Sequence, residues 1–219
     1  MKPIPDSEIA RNAESMLRAT SQAALVNHCL RSYMWGAALA EIENITFDAE
    51  LLFVSAALHD LGLLEQFDSG APFEHDSASE ARQFTSSHGW SPDKTSTAGQ
   101  VIVLHVAPDV TLDNGAEAYL LWQATAVDVT GSRLDLLSAS TISQVLSTYP
   151  RLDFVDHFGG LFADQASRKP DTRAGQHVQA GLLERLATCA LNGGSPVHEP
   201  ATGTSIRRRS TASRDSSHD

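Results

Sequence analysis

The sequence predicts an all-α fold: a single helical domain with a disordered C-terminal tail. Three observations carry this. Apolar residues recur with helical spacing along most of the chain. No sustained period-2 runs separated by hairpin turns appear. Capping residues and glycine or proline stops fall where the helical pattern starts and ends. The expected organisation is an N-terminal helical extension over residues 1–20, the main domain over 21–191, and the tail over 192–219.

Residues 6–20 carry a modest helical pattern, and a second helix spans 21–43 with Leu25, Cys29, Ala37 and Leu39 among its apolar positions. The third starts near Asp48 and runs through Leu51, Leu52, Phe53, Val54, Ala57 and Leu58. It is apolar nearly all round, which places it at the centre of the fold. Gly62 is its expected stop. Ser77 and Glu80 have capping-box spacing and predict the start of another helix, ending at His88-Gly89. Ser91-Pro92 starts the next, which carries Val101, Ile102, Leu104 and His105 and closes at Pro108. Residues 116–130 form an apolar helix with Asp128 near its end and Gly131 as its stop. Two more helices are expected near 138–149 and 176–191. From Asn192 the chain is rich in Ser, Thr and Arg and nearly devoid of large apolar residues, the composition of a disordered tail. Arg207-Arg208-Arg209-Ser210 within it resembles a basophilic kinase site, a short match whose plain reading is solvated tail. No internal repeat is present.

A net charge of −11 argues against a phosphate-backbone partner and against anionic membranes. The longest apolar run, 51–58, is too short to span a bilayer. Two cysteines, Cys29 and Cys189, cannot build a disulfide framework, and the first residues lack an apolar signal core. These features predict a cytoplasmic protein. Its expected partner is a small-molecule substrate, with no nucleic acid and no membrane; a homo-oligomer is compatible with the sequence.

The informative constellation is His59-Asp60, two polar groups at the tip of an apolar helix, where an unpartnered charge would be costly. A second histidine, His28, lies in the middle of the preceding helix, and a second aspartate, Asp128, near the end of another apolar helix. Two imidazoles and two carboxylates can close most of a divalent cation's coordination shell and leave a position for water. This donor set, His28, His59, Asp60 and Asp128, suits Zn²⁺, with Fe²⁺, Mn²⁺ and Ni²⁺ as alternatives, better than Ca²⁺.

The order His…His-Asp…Asp is similar to that of the HD-domain superfamily of metal-dependent enzymes. The similarity extends to the cyanamide hydratase-like subfamily through several stretches: His28-x-x-Arg31-x-Tyr33; Leu58-His-Asp-Leu-Gly62; Phe73-Glu74; Ala78 with Ala81-Arg82 and Phe84; Val101 to His105; Asp128-Val-Thr-Gly131; and Tyr149-Pro-Arg151. His75-Asp76-Ser77 and Val106-Ala107 depart from the usual subfamily wording. The resemblance implies packed helices around one metal, with ligands at the four positions named. It also implies zinc and the addition of water across a carbon–nitrogen triple bond, cyanamide giving urea.

In that chemistry Asp60 would ligate through one oxygen and accept a water proton with the other, and His105 would donate a proton or touch substrate. Phe73, Tyr33 and Trp122 would wall a small pocket; Arg31 and Glu74 would orient ligands or tie helices together. His88 would interact with a helix C-terminus, and His157, His177, His198 and His218 would lie on the surface or in the tail. The competing activity is a metal-dependent phosphohydrolase acting on a nucleotide or other phosphomonoester, which should need cations aimed at the phosphate. A dinuclear oxygenase would need two more histidine ligands from His75, His88 and His105, and His75 is expected in a loop. A degenerate scaffold without catalysis is disfavoured because all four ligand types are intact.

Overall fold

A computed structural model describes residues 3–193, and among them every regular element is a helix. The expected tail lies outside the described residues from position 194 on, and His198, His218 and the Arg207–Ser210 motif lie outside with it.

Helix α1 (Glu8–Thr20) starts where the Ser7 hydroxyl accepts from the amide of Ala10, and it buries Ile9, Ala13 and Leu17. Helix α2 (Ala23–Glu43) ends at Asn44, in the left-handed conformation that asparagine tolerates. The Asp48 carboxylate caps α3 (Ala49–Leu58), whose residues 51–58 are all buried. The expectation of a central helix holds: α3 touches α1, α2, α6 (Ala116–Thr130), and the pair α4 (Phe73–Ser87) and α5 (Pro92–Leu104). Ser91 caps α5 with Pro92 in its first turn, and Gly131 ends α6, both as the sequence predicts. Helix α7 (Ala139–Thr148) is capped by Ser138.

Three differences from the sequence reading have physical causes. Helix α4 begins at Phe73, a full turn before Ser77, so His75 is helical. Pro72 sets the entry, and the Ser77 hydroxyl accepts from the amide of Gly62 while Asp76 accepts from Ser69. A capping-box spacing inside a helix thus serves tertiary contacts instead. Second, α8 (Phe154–Arg168) was not expected. Its apolar stripe Phe154, Phe158 and Phe162 recurs every four residues, but Gly159 and Gly160 and the polar Asp156, His157, Asp164 and Gln165 interrupt the pattern. Third, the helix expected over 176–191 is broken into α9 (Arg173–Gln179) and α10 (Leu182–Ala187). Between them Gly181 has φ +81°, a conformation that ends a helix and suits glycine.

The core has two parts. The larger lies mainly among α1 to α6, with Val145 of α7 and Leu191 joining it. The smaller gathers Leu25 of α2, Phe73 of α4, Val129 of α6, the α8 phenylalanines, and Leu182 and Leu186 of α10. Cys29 and Cys189 are buried and unpaired. No helix among the described residues is long and apolar enough to cross a membrane.

Candidate metal centre and its cavity

His59 follows the last residue of α3, and Asp60 follows His59 at the start of a tight 3-10 turn, Leu61–Leu63. The chain can turn there because Gly62 lies against α4: a Cβ at that position would stand 2.1 Å from the carbonyl oxygen of Phe73. The requirement is space, since Gly62 is not among the positive-φ residues. The turn delivers both side chains to the middle of α2, where His28 faces them; all three are at most 2% exposed.

Three donor atoms meet there in a nearly equilateral triangle. His28 Nε2 and His59 Nε2 are 3.3 Å apart, and Asp60 Oδ2 lies 3.3 Å from the first and 3.1 Å from the second. Each imidazole is held from its far side. His59 Nδ1 donates to the Ala56 carbonyl at 2.8 Å, and His28 Nδ1 donates to Asp128 Oδ2 at 2.7 Å. Both rings therefore turn Nε2 inward. Asp60 Oδ2 is fully buried and accepts no hydrogen bond. An orphaned carboxylate oxygen is costly unless a cation satisfies it. Separations of this size are those of neighbouring ligand atoms on a cation with bonds of ~2.0–2.2 Å. Among the described residues, His28, His59 and Asp60 form a group able to hold a metal ion.

Asp128, expected in the same ligand set, is placed one side chain further back. Its Oδ1 accepts from Arg31 Nε at 2.7 Å and Trp35 Nε1 at 2.8 Å, and its Oδ2 accepts from His28 and Arg31 Nη2. Arg31 also donates to the carbonyls of Tyr149 and Pro150, so it both orients a carboxylate and ties α2 to the segment before α8. Arg151 donates to the backbone carbonyl of Asp128. Trp35 carries no distinguishing signal in the sequence at its i+7 helical position, and Arg151 stands out there only through the Tyr149-Pro-Arg151 resemblance, which assigns it no role.

The charges follow. Burial opposes ionisation throughout, but Asp60 outweighs it at His59 and pushes that imidazole up to about 10. His28 is raised against burial by its hydrogen bond to Asp128 and by the nearby Asp60 carboxylate. Asp60 is held well below the usual carboxylate range against burial, chiefly by the charge of His59. Arg31 does the same for Asp128. His105 moves the other way: burial lowers it, favouring the neutral ring. It sits at the end of α5 with Nδ1 donating to the Ile102 carbonyl and Nε2 3.5 Å from Asp60 Oδ1.

The triangle and His105 form the floor of a cavity of about 250 Å³. Phe158 and Phe162 of α8 and Val129 of α6 wall it, and Leu182 and Arg185 of α10 complete it on the side where Arg185 is exposed. Phe154 stacks on His28 at 4.8 Å between ring centroids. Of the three expected wall residues, Trp122 lines the cavity. Phe73 lies behind it, edge-on to His105 and Phe162. Tyr33 is not brought there. Five positions beyond His28, it leaves α2 on another face, where its hydroxyl donates to the Pro3 carbonyl and its ring meets Phe53. His177, expected on the surface, lines the cavity and donates to the Val106 carbonyl. His88 caps α4 by donating to the Phe84 carbonyl, and Glu74 is buried with Oε2 unpartnered.

No family model matches the chain. Two curated proteins of Saccharomyces cerevisiae (strain ATCC 204508 / S288c), cyanamide hydratase DDI2 and cyanamide hydratase DDI3, are each 26% identical to it over 173 residues. The matches cover 77% of this chain and 77% of each relative. The chain is thus similar to cyanamide hydratases over most of its length.

Proposed function

We propose that this protein is a metal-dependent hydro-lyase that adds water to a nitrile-type substrate, cyanamide giving urea, with zinc held by His28 Nε2, His59 Nε2 and Asp60 Oδ2. The observation that carries the reading is the buried triangle of donors around an orphaned carboxylate oxygen at the floor of a cavity. The similarity to the two yeast enzymes supplies the substrate. When bound, the cation supplies Lewis acidity.

The chain's own residues supply the proton path. Asp60 Oδ1 stands outside the triangle and accepts a proton from the attacking water. His105 Nε2, 3.5 Å away, carries a lone pair because Nδ1 is committed to a carbonyl and burial favours the neutral ring. It takes that proton from Asp60 and delivers it to the substrate nitrogen. The water oxygen bonds to the nitrile carbon, one C–N π bond breaks, and the resulting isourea tautomerises to urea. Phe158 and Phe162 limit bulk water. A phosphohydrolase needs cations directed onto a phosphate at the floor, whereas Arg31 and Arg151 are turned onto Asp128 and Arg185 stands at the exposed rim with Nη1 on the Ala180 carbonyl.

Urea release from cyanamide, with metal content read on the same sample, tests the reading. Turnover on the order of 1–10³ per second is expected of the holoenzyme. His59→Ala should lose metal and turnover together. His105→Gln should keep the metal and lose roughly 10²–10⁴-fold in kcat. A full equivalent of metal without urea formation would refute cyanamide as substrate.

A further inference from the structure

Cyanamide has three non-hydrogen atoms. Even with one attacking water it leaves much of a 250 Å³ cavity unfilled. The remaining space is not built for water. Phe158, Phe162, Val106, Val129 and Leu182 are apolar. Most polar side chains above the floor have turned their hydrogens to the main chain: Trp122 Nε1 to the Ala107 carbonyl, Thr125 to Trp122, Thr130 to Ala126 and His177 to Val106, while the Ser132 hydroxyl is bonded to that of Thr130. Arg185 stands exposed at the rim, with Nη1 on the Ala180 carbonyl. A cavity with its polar, reactive groups at the floor and committed donors in its walls suits a ligand with one polar end and one apolar end.

From this arrangement we infer that the preferred substrate is an N-substituted cyanamide, its nitrile at the Asp60–His105 floor and an apolar substituent against Phe158, Phe162, Val129 and Leu182. The inference rests on the hydro-lyase reading above. The chemistry is unchanged: water oxygen to the nitrile carbon, a proton to nitrogen, one π bond lost, and an N-substituted urea as product, with no oxidant, reductant or further reactant.

The test compares kcat/KM of the holoenzyme for cyanamide and for phenylcyanamide, following urea and phenylurea. Phenylcyanamide should be preferred at least tenfold, the discrimination that an apolar subsite gives. Ala126→Leu, which adds bulk to a half-buried lining position, should lower the phenylcyanamide-to-cyanamide ratio by about tenfold. Thermal melting checks that this variant folds, and the wild-type comparison stands without it. Equal or better use of cyanamide would overturn this inference and leave the hydro-lyase reading in place. Hydration of neither compound by metal-loaded enzyme would overturn both.

Discussion

At the scale of single residues, the centre depends on what stands behind each ligand. His28 is oriented by Asp128, and Asp128 by Arg31 and Trp35, all buried. Replacing Asp128 by asparagine leaves His28 Nε2 in the triangle but removes the charge that fixes the ring and balances Arg31. Metal affinity in a chelator titration is therefore expected to fall roughly 10–100-fold, not vanish as in His59→Ala. Stability should fall by about 3–5 kcal/mol, because the guanidinium loses its buried partner. An Asp128→Asn protein that holds metal as tightly as wild type would contradict this arrangement. The sequence made His59-Asp60 legible, since two polar residues ending an eight-residue apolar run need a purpose. It also singled out His28 and Asp128, which the structure brings together through a hydrogen bond. It did not separate the aspartate in the triangle from the one behind it, because residue type and order are identical for both roles and only the direction of His28 Nδ1 decides.

At the scale of elements, the turn after α3 and the start of α4 fit each other through Gly62. Gly62→Ala would drive a methyl group into the Phe73 carbonyl and disturb the Gly62 amide bonded to Ser77. The expected cost is about 1–3 kcal/mol in denaturant unfolding, with a drop in activity as Asp60 shifts. Unchanged stability would show that α4 can move away freely. Helices with uniform patterns, α2, α3, α5 and α6, were legible because apolar periodicity, caps and stops agree. The start of α4 was not, because local spacing cannot reveal that Ser77 is engaged by Gly62. Helix α8 escaped because its buried face is one narrow aromatic stripe between Gly159, Gly160 and charged positions. A search for Phe at every fourth residue would have found it.

At the scale of the whole molecule, the segment that follows the site's turn is anchored to the far end of α8 by Asp68. Its carboxylate accepts from Lys169 Nζ at 2.7 Å and from Gln165 Nε2 at 3.1 Å, and pairs with Arg168 at 2.6 Å. Burial would raise its pKa, but Lys169, the Gly70 amide and Arg168 together hold it below the usual carboxylate range. A carboxylate depressed in the folded state contributes stability above its unfolded pKa of ~3.9, and that contribution is lost as pH falls toward the folded value. Asp68→Asn should thus melt below wild type at pH 7, and the gap should close as pH is lowered through 4. A gap independent of pH would mean that the pair contributes through packing alone.

The positions of the ligands along the chain and of their aromatic cover have a consequence for how the protein is made. His28, His59 and Asp60 leave the ribosome long before Phe154, Phe158 and Phe162, so the nascent chain presents its donor atoms to solvent while the lid over them is still being synthesised. Loading can precede sealing. In the finished molecule the donors lie buried beneath Phe158, Phe162, Val129 and Leu182, so exchange with free metal should be slow even where equilibrium affinity is modest.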